Sequence, residues 1–375
     1  MLATKKIDLT NKAQINEFVM FPFKLYENCP QWVPPFIGDI KLMLNPKKHP
    51  FYEHSEAEFF ATYQDDTLVG RIALMENKPF NKYHNTKKAQ FYLLDFIEDI
   101  KVASELFRQA EEWAKQRGLT ELVGPKGFSA FDGYGIQIEG FEYDQMMTMM
   151  NYNYPYYPQF MEQLGFEKDV DFVSCYLDMQ KFNMPEKVHE VARRVQEKGK
   201  FQVKRFKDKR DLSNWAGRIG ETYNKAFVNN WEYYPLTDRE IKFVLDNILI
   251  VAVPKLMKII TYEDEVIGSL FAFPDVTKAL KRNKGRITPW GIIDILIEQK
   301  RSKFISLNGV GVLEIYQGRG ANALLYSEIY HTMSDSGYTE AELTQVANTA
   351  VQMRKDLITV GGREYKNHRV YKRLI

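Results

Sequence analysis

The residues best placed to do chemistry form one run, Val312-Leu313-Glu314-Ile315-Tyr316-Gln317-Gly318-Arg319-Gly320-Ala321-Asn322. It follows an apolar stretch, residues 304–313, that reads as a strand. It opens a helical pattern in which Ala321, Leu324, Leu325, Ile329 and Met333 share one face. Two glycines let the backbone turn tightly and bring several N–H groups to one side. A helix start adds unsatisfied donors and the positive end of its dipole. Together these would cradle a pyrophosphate, with Arg319 adding a charge-assisted contact. The same run also serves as a plain Gly-rich strand-to-helix turn without a ligand, and on its own it does not choose between the two.

Other reactive residue types are scattered. His49 and His54 flank Phe51-Tyr52-Glu53 but show no metal-ligand spacing, and His331 and His368 stand apart, so no metal is expected. Cys29 and Cys175 are distant and form no CxxC, which argues against a disulfide framework or a structural zinc and for a reducing compartment. The first ten residues lack the apolar run of a signal peptide, and the densest apolar stretch is only residues 248–253. The expectation is a soluble cytoplasmic protein with no membrane partner. With 51 basic and 49 acidic residues the net charge is +2, which gives no global reason to expect nucleic acid. The basic cluster Lys204, Arg205, Lys207, Lys209 and Arg210 is interrupted by Asp208 and Asp211 and reads as a solvated face. Met146, Met147, Met149 and Met150 read as flexible strand core. The aromatic stretch 152–160 reads as a cap or interface.

The elements that would position these residues occur twice. At 375 residues, with 45% hydrophobic and 27% charged content, the chain has room for two ordinary globular domains, and disorder, collagen and long coiled coil are excluded. Residues 57–63 and 68–75 make a β-hairpin about Asp65-Asp66, and 256–262 and 266–273 make another about Glu263-Asp264-Glu265; Asp66 aligns with Asp264. Strands at 90–96 and 304–313 each lead into an amphipathic helix. Each helix stops at a glycine, Gly118 or Gly337, before a new strand at 121–123 or 341–343. A helix at 11–26, with a Trp/Pro stretch behind it (Gln31 to Pro35), matches a helix at 211–227 capped by Asp211, followed by Asn229-Asn230-Trp231-Glu232-Tyr233-Tyr234-Pro235. Terminal strands at 172–177 and 369–374 complete two units of order β-α-α-β-β-β-α-β-α-β. Residues 180–200 read as a charged helix or linker with no chemistry of its own. The predicted class is α/β.

Gln317-Gly318-Arg319-Gly320-Ala321 resembles the acetyl-CoA pyrophosphate loop, Q/R-x-x-G-x-G/A, of the GNAT acyltransferases (the GCN5-related N-acetyltransferase fold). The element order of each half is similar to a GNAT domain. The Trp/Pro stretches and Asn151-Tyr152-Asn153-Tyr154-Pro155-Tyr156-Tyr157-Pro158 look like a bacterial family of tandem GNAT-like proteins. The resemblance implies two GNAT-like domains, each a mixed central sheet with helices on both faces. These are a degenerate one at 1–180, a linker at 181–200, and one at 201–375 that carries the CoA loop. It implies an acyl-CoA-dependent N-acyltransferase, with acetyl transfer to an amine in the C-terminal half. Acetyl-CoA or another acyl-CoA would be held by Val312, Leu313, Gln317, Gly318, Arg319, Gly320, Ala321, Asn322 and Asn348, and the acceptor would enter past Trp231, Tyr233 and Tyr234. The partner expected is a small-molecule or peptide amine, and a homodimer is compatible with the fold.

The chain departs from the pattern in three places. Asn322 stands where Gly or Ala is usual. The first half has Phe96-Ile97-Glu98-Asp99-Ile100-Lys101, without glycine and with two carboxylates that repel pyrophosphate. Lys355 occupies the place, seven residues after Asn348, where the family often has a tyrosine acid, which leaves Tyr365 as a displaced candidate. No carboxylate lies in residues 304–313, so catalysis is expected to rest on positioning and backbone donors. Two other readings remain open: a non-catalytic ligand-binding or assembly protein that keeps the fold, and aminoacyl transfer of the Fem type, which has no need of the two loop glycines.

Overall fold

Both predicted hairpins form, and they turn alike. Asp65 and Asp66 have φ of 48° and 64°, and Glu263 and Asp264 have φ of 48° and 70°. This is the two-residue turn whose twist matches that of paired strands. The computed structural model describes residues 1–129, 132–146, 150–226, 228, 231–359 and 361–375. Met147, Met149, Phe227, Asn229 and Asn230, invoked above, lie outside that set.

In chain order the strands are β1 (Leu2–Lys6), β2 (Glu56–Gln64), β3 (Thr67–Glu76), β4 (Lys88–Phe96), β5 (Glu121–Gly124), β6 (Ile136–Glu139), β7 (Glu167–Asp178), β8 (Phe201–Lys204), β9 (Met257–Tyr262), β10 (Glu265–Pro274), β11 (Phe304–Val312), β12 (Glu340–Ala347) and β13 (Arg363–Leu374). The chain forms two units. The first comprises Met1–Phe172, Val276–Leu296 and Lys366–Ile375; the second comprises Val173–Asp275 and Ile297–Tyr365. Their boundary falls inside β7, not in the charged 181–200 segment.

In the first unit β1, β2, β3 and β4 pair antiparallel in that order, and β5 joins β4 in parallel. The next neighbour of β5 comes from the far end of the chain: Tyr371 to Leu374 of β13 pair antiparallel with Gly124 to Glu121. β6 pairs with β13 near Asn367 to Arg369. In the second unit β8, β9, β10 and β11 pair antiparallel and β12 joins β11 in parallel. The strand beside β12 is β7, whose residues from Val173 onward belong to this unit. Each unit is thus completed by a strand from the other half of the sequence.

The registers show the duplication directly. Gly70 faces Phe96 as Gly268 faces Val312. A bulge falls between Arg71 and Ala73 in one unit and between Ser269 and Phe271 in the other. Ile97 N–H donates to Val69 and Leu313 N–H to Ile267. One helix crosses each parallel pair. Ile100–Lys115 buries Val102, Leu106, Phe107, Ala110 and Trp113, and Ala321–Asp335 buries Ala321, Leu324, Leu325, Ile329 and Met333. Both amphipathic stripes are those the spacing predicts.

Other expectations shift. The helix expected at 211–227 is two helices, Lys209–Asn214 and Ala216–Ala226, and its cap is Asp208, whose carboxylate accepts from Asp211 N–H. Met146 and Met150 are buried but lie in no strand. Residues 248–251 end the helix Asp238–Val251, and Ile250 there is exposed. The segment read as a linker holds the helix Glu186–Glu197, which packs on Ala321–Asp335 with His189 Nδ1 and Ser327 Oγ at 2.8 Å.

Candidate functional site

In the second unit the parallel strands pair only briefly. Phe304 to Leu307 match Glu340 to Leu343, after which β11 continues to Val312 and β12 to Ala347 with no further pairing to each other among the described residues. The two strands therefore open into a wedge, and among the described residues their facing backbone edges do not bond to each other, which suits an extended, amide-bearing chain; Val312 O is taken, by the Gln317 side chain. At its base one sheet face is polar. Ser306 Oγ and Thr344 Oγ1 are 3.0 Å apart, and Asn308 Nδ2 donates to Ser306 Oγ at 2.8 Å. The opposite face, Ile305, Leu307, Ala341 and Leu343, belongs to the apolar core under the crossing helix.

At the mouth of the wedge lies the loop singled out by its glycines. After a 3-10 turn at Glu314–Tyr316, Gln317 folds back and its Nε2 donates to Val312 O at 2.9 Å. Gly318 has φ of 70° and Gly320, the residue before the helix, has φ of 92°. Among the described residues the backbone N–H groups of Gly318, Gly320, Ala321, Asn322 and Ala323 make no hydrogen bond within the chain. This is a cluster of free donors at the positive end of a 15-residue helix.

The two glycines differ in why they are needed. A Cβ on Gly318 would meet nothing within 4 Å, so only its backbone angle calls for glycine. A Cβ on Gly320 would come within 2.5 Å of Val195 Cγ2 and 3.1 Å of Val191 Cγ1, so this residue also lets the helix Glu186–Glu197 approach. Arg319 is exposed, with its guanidinium 5.8 Å from the Tyr316 ring.

Asn348 follows β12 at the same end of the wedge, and its amide makes no hydrogen bond among the described residues. Trp231, Tyr233 and Tyr234 lie between the helices Ala216–Ala226 and Asp238–Val251. Tyr233 and Tyr234 are buried, and the Tyr233 hydroxyl donates to Asn224 O at 2.6 Å. Tyr365, on β13, stands against a residue the sequence reading missed, Glu342. Burial first, then the charge and hydrogen bonding of Glu342, drives the Tyr365 phenol far above its ordinary value.

Glu342 is fully buried, at 0% exposure, and sits in register with Ser306 at the base of the wedge. Its counterpart in the first unit, read from the same register, is Val123 opposite Gln90. The strand of Glu342 also carries Glu340, Thr344 and Gln345, so an acid at position 342 was no signal on its own. Nearby, burial pushes the Cys175 thiol up to about 11, so it stands as a neutral thiol and not as a nucleophile.

The first unit has the same strands but a closed wedge. Its parallel pairing covers only Lys88 to Gln90 with Glu121 to Val123. Beyond it Lys126 N–H donates to Phe91 O at 2.9 Å, and the helix Tyr156–Gln163 packs against Phe96 at the end of β4. Phe96 N–H donates to the Tyr157 hydroxyl at 2.9 Å, the Tyr156 hydroxyl donates to Phe96 O at 2.6 Å, and the Phe96 and Tyr157 rings stack at 4.1 Å. The Asp99 carboxylate caps the crossing helix by accepting from Lys101 N–H at 2.9 Å. An anion arriving there would meet a carboxylate instead of free donors. The counterpart helix in the second unit, Val351–Thr359, carries no aromatic residue.

No family model matches the chain. It is 25% identical over 376 residues to the bacterial ceramide synthase of Caulobacter vibrioides (strain NA1000 / CB15N), covering 98% of this chain and 97% of that protein. It is 23% identical over 374 residues to protein YghO of Escherichia coli (strain K12), covering 97% and 94%. Among solved structures, the tandem GNAT protein of the clavulanic acid biosynthesis pathway aligns over 100% of this chain and 98% of its own, with a TM-score of 0.57 at 10% identity. The fold is a duplicated GNAT fold, as the loop and element order implied. Among the described residues no group of three or more His, Cys, Asp or Glu could hold a metal ion, and no helix is long and apolar enough to cross a membrane.

Proposed function

We propose that the protein is an acyl-CoA-dependent N-acyltransferase that works at the wedge of its second unit. The observation that carries this reading is the contrast between two copies of one architecture. One wedge is sealed by tyrosines and capped by Asp99; the other is open, with five free N–H groups at its mouth. The free donors suit a pyrophosphate. The facing edges of β11 and β12 suit the amides of a pantetheine arm, with the thioester near the base of the wedge. There the amine nitrogen attacks the thioester carbonyl, the C–N bond forms and the C–S bond breaks. The amine gives up one proton and the departing thiolate takes one. Glu342 is the group at the base that can accept the amine's proton, through water or directly. Tyr365 serves to hold that carboxylate. Backbone N–H groups on these edges are suited to the developing oxyanion.

The relative named ceramide synthase favours a long acyl chain and a long-chain amino alcohol as acceptor over acetyl transfer, because a ceramide is an N-acylated amino alcohol. Calorimetry with acetyl-CoA and palmitoyl-CoA, followed by turnover on a panel of amines, tests the reading. Asn322→Asp adds a carboxylate to the first helical turn, which favours the helix itself. It should nonetheless weaken acyl-CoA binding by about tenfold or more. Glu342→Gln should cost turnover on the order of 10²–10⁴-fold, and Tyr365→Phe much less. Undiminished binding by Asn322→Asp would falsify the cradle, and binding without turnover on any amine would leave a ligand-binding protein.

A further inference from the structure

The helix Pro289–Arg301 is inside out. Its outward side carries Trp290, Ile292, Ile293, Leu296 and Ile297, which are 80, 47, 47, 50 and 40% exposed, and Ile287 just before it is 58% exposed. At 100° per residue these helical positions span an arc of about 160°. The inward side holds the polar groups. Asp294 takes both arms of Arg282, at 2.7 and 3.1 Å, and the amide of Asn283 at 2.9 Å. The preceding segment is pinned as well. Lys281 Nζ donates to Asp144 at 2.9 Å, and Gly285 O accepts from Ile37 N–H at 3.0 Å. A firmly held helix that bares five large apolar side chains is unusual for a solvated surface.

The rim of this face is basic. Residues 278–303 contain Lys278, Lys281, Arg282, Lys284, Arg286, Lys300, Arg301 and Lys303 against only Asp294 and Glu298, in a chain whose net charge is +2. Lys278, Lys284, Arg286, Lys300, Arg301 and Lys303 are all exposed, and among the described residues none is in an ion pair. Asp294 does not offset this rim, since it is spent on Arg282 and Asn283, which leaves Glu298 against six exposed cations.

We propose that this helix docks the protein on an anionic lipid bilayer, lying in the interface with its apolar arc among the acyl chains and its basic rim at the headgroups. A protein partner would not call for lysines and arginines at both ends of a bare apolar arc, whereas an anionic leaflet does. A surface-lying helix needs no long apolar run, which is why the expectation of no membrane partner, drawn from the lack of such a run, does not bear on it. The inference is independent of the proposed acyl transfer, because its test uses neither acyl-CoA nor an amine.

The full chain is floated with vesicles of phosphatidylcholine alone and of phosphatidylcholine with phosphatidylglycerol. Binding to the anionic vesicles, weakened by salt, is expected. Ile293→Asp with Leu296→Asp should abolish it. Lys284→Glu with Arg286→Glu should weaken it by more than about fivefold per residue changed. All four side chains are exposed, so thermal melting should be unchanged and loss of fold can be told from loss of docking. Trp290 fluorescence should shift to the blue on binding, with Trp290→Phe as the blank. The proposal is overturned if the full chain ignores anionic vesicles or if binding survives the aspartate pair. It is also overturned if that pair only turns a dimer into a monomer, since the face would then belong to a second copy of this chain.

Discussion

His368 is fully buried on β13. One ring nitrogen, Nε2, lies 3.0 Å from Asn151 O; the other, Nδ1, is buried and has no hydrogen-bond partner among the described residues. A second proton would place a charge on that enclosed atom, so burial lowers the imidazole to about 4. The unfolded chain takes up the proton near 6.5, so the fold loses stability as pH falls from 6.5 through 4. The full loss is up to about 3 kcal/mol. Asp132 pulls the other way. Burial raises its carboxyl to about 6, so its ionisation costs the fold as pH rises from 3.8 to that value. The two partly cancel in the wild type. Urea unfolding of wild type and His368→Phe between pH 4 and 8 should separate them. The difference in stability between the two proteins should change with pH only below about 6.5. A difference that is flat with pH would show that His368 does not titrate in this window.

Elements decide which of the two wedges is open. The helix Tyr156–Gln163 closes the first by lending hydroxyls to both backbone groups of Phe96. Tyr157→Phe keeps the ring stack but leaves the Phe96 N–H buried without its acceptor. It should destabilise the protein by about 1–3 kcal/mol, measured by chemical unfolding, and should create no second acyl-CoA site. The hairpins, the crossing helices and the Gly-rich loop were legible in the sequence because each rests on local chemistry: two-residue turns, an apolar stripe, a helix start. The seal was half legible, as an aromatic cap whose target the sequence did not name. Glu342 was not legible as a site residue, because its meaning depends on its register with Ser306 and on Tyr365 arriving from another strand. Nor was the helix Pro289–Arg301, whose apolar residues face outward, contrary to the rule that periodicity marks the buried side.

At the scale of the whole molecule, the two halves of the sequence are not the two units of the structure. The first unit needs Lys366–Ile375, and the second needs β7 from Val173 onward, beside β12. Splitting the chain at the charged segment, as composition suggests, leaves each fragment without a strand and with an exposed sheet edge. Fragments 1–180 and 181–375 should each be aggregation-prone or readily proteolysed alone, and should recover protection when refolded together. A fragment 1–180 that resists protease by itself would contradict the exchange. The exchange also sets a timetable for synthesis. Growing chains ordinarily fold their first domain while the next is still being made. Here the first unit must wait until roughly 190 further residues have been translated after Phe172, on the order of 10–40 s at usual elongation rates. During that interval the edge of β5 awaits its partner on the ribosome, where chaperones would have to shield it.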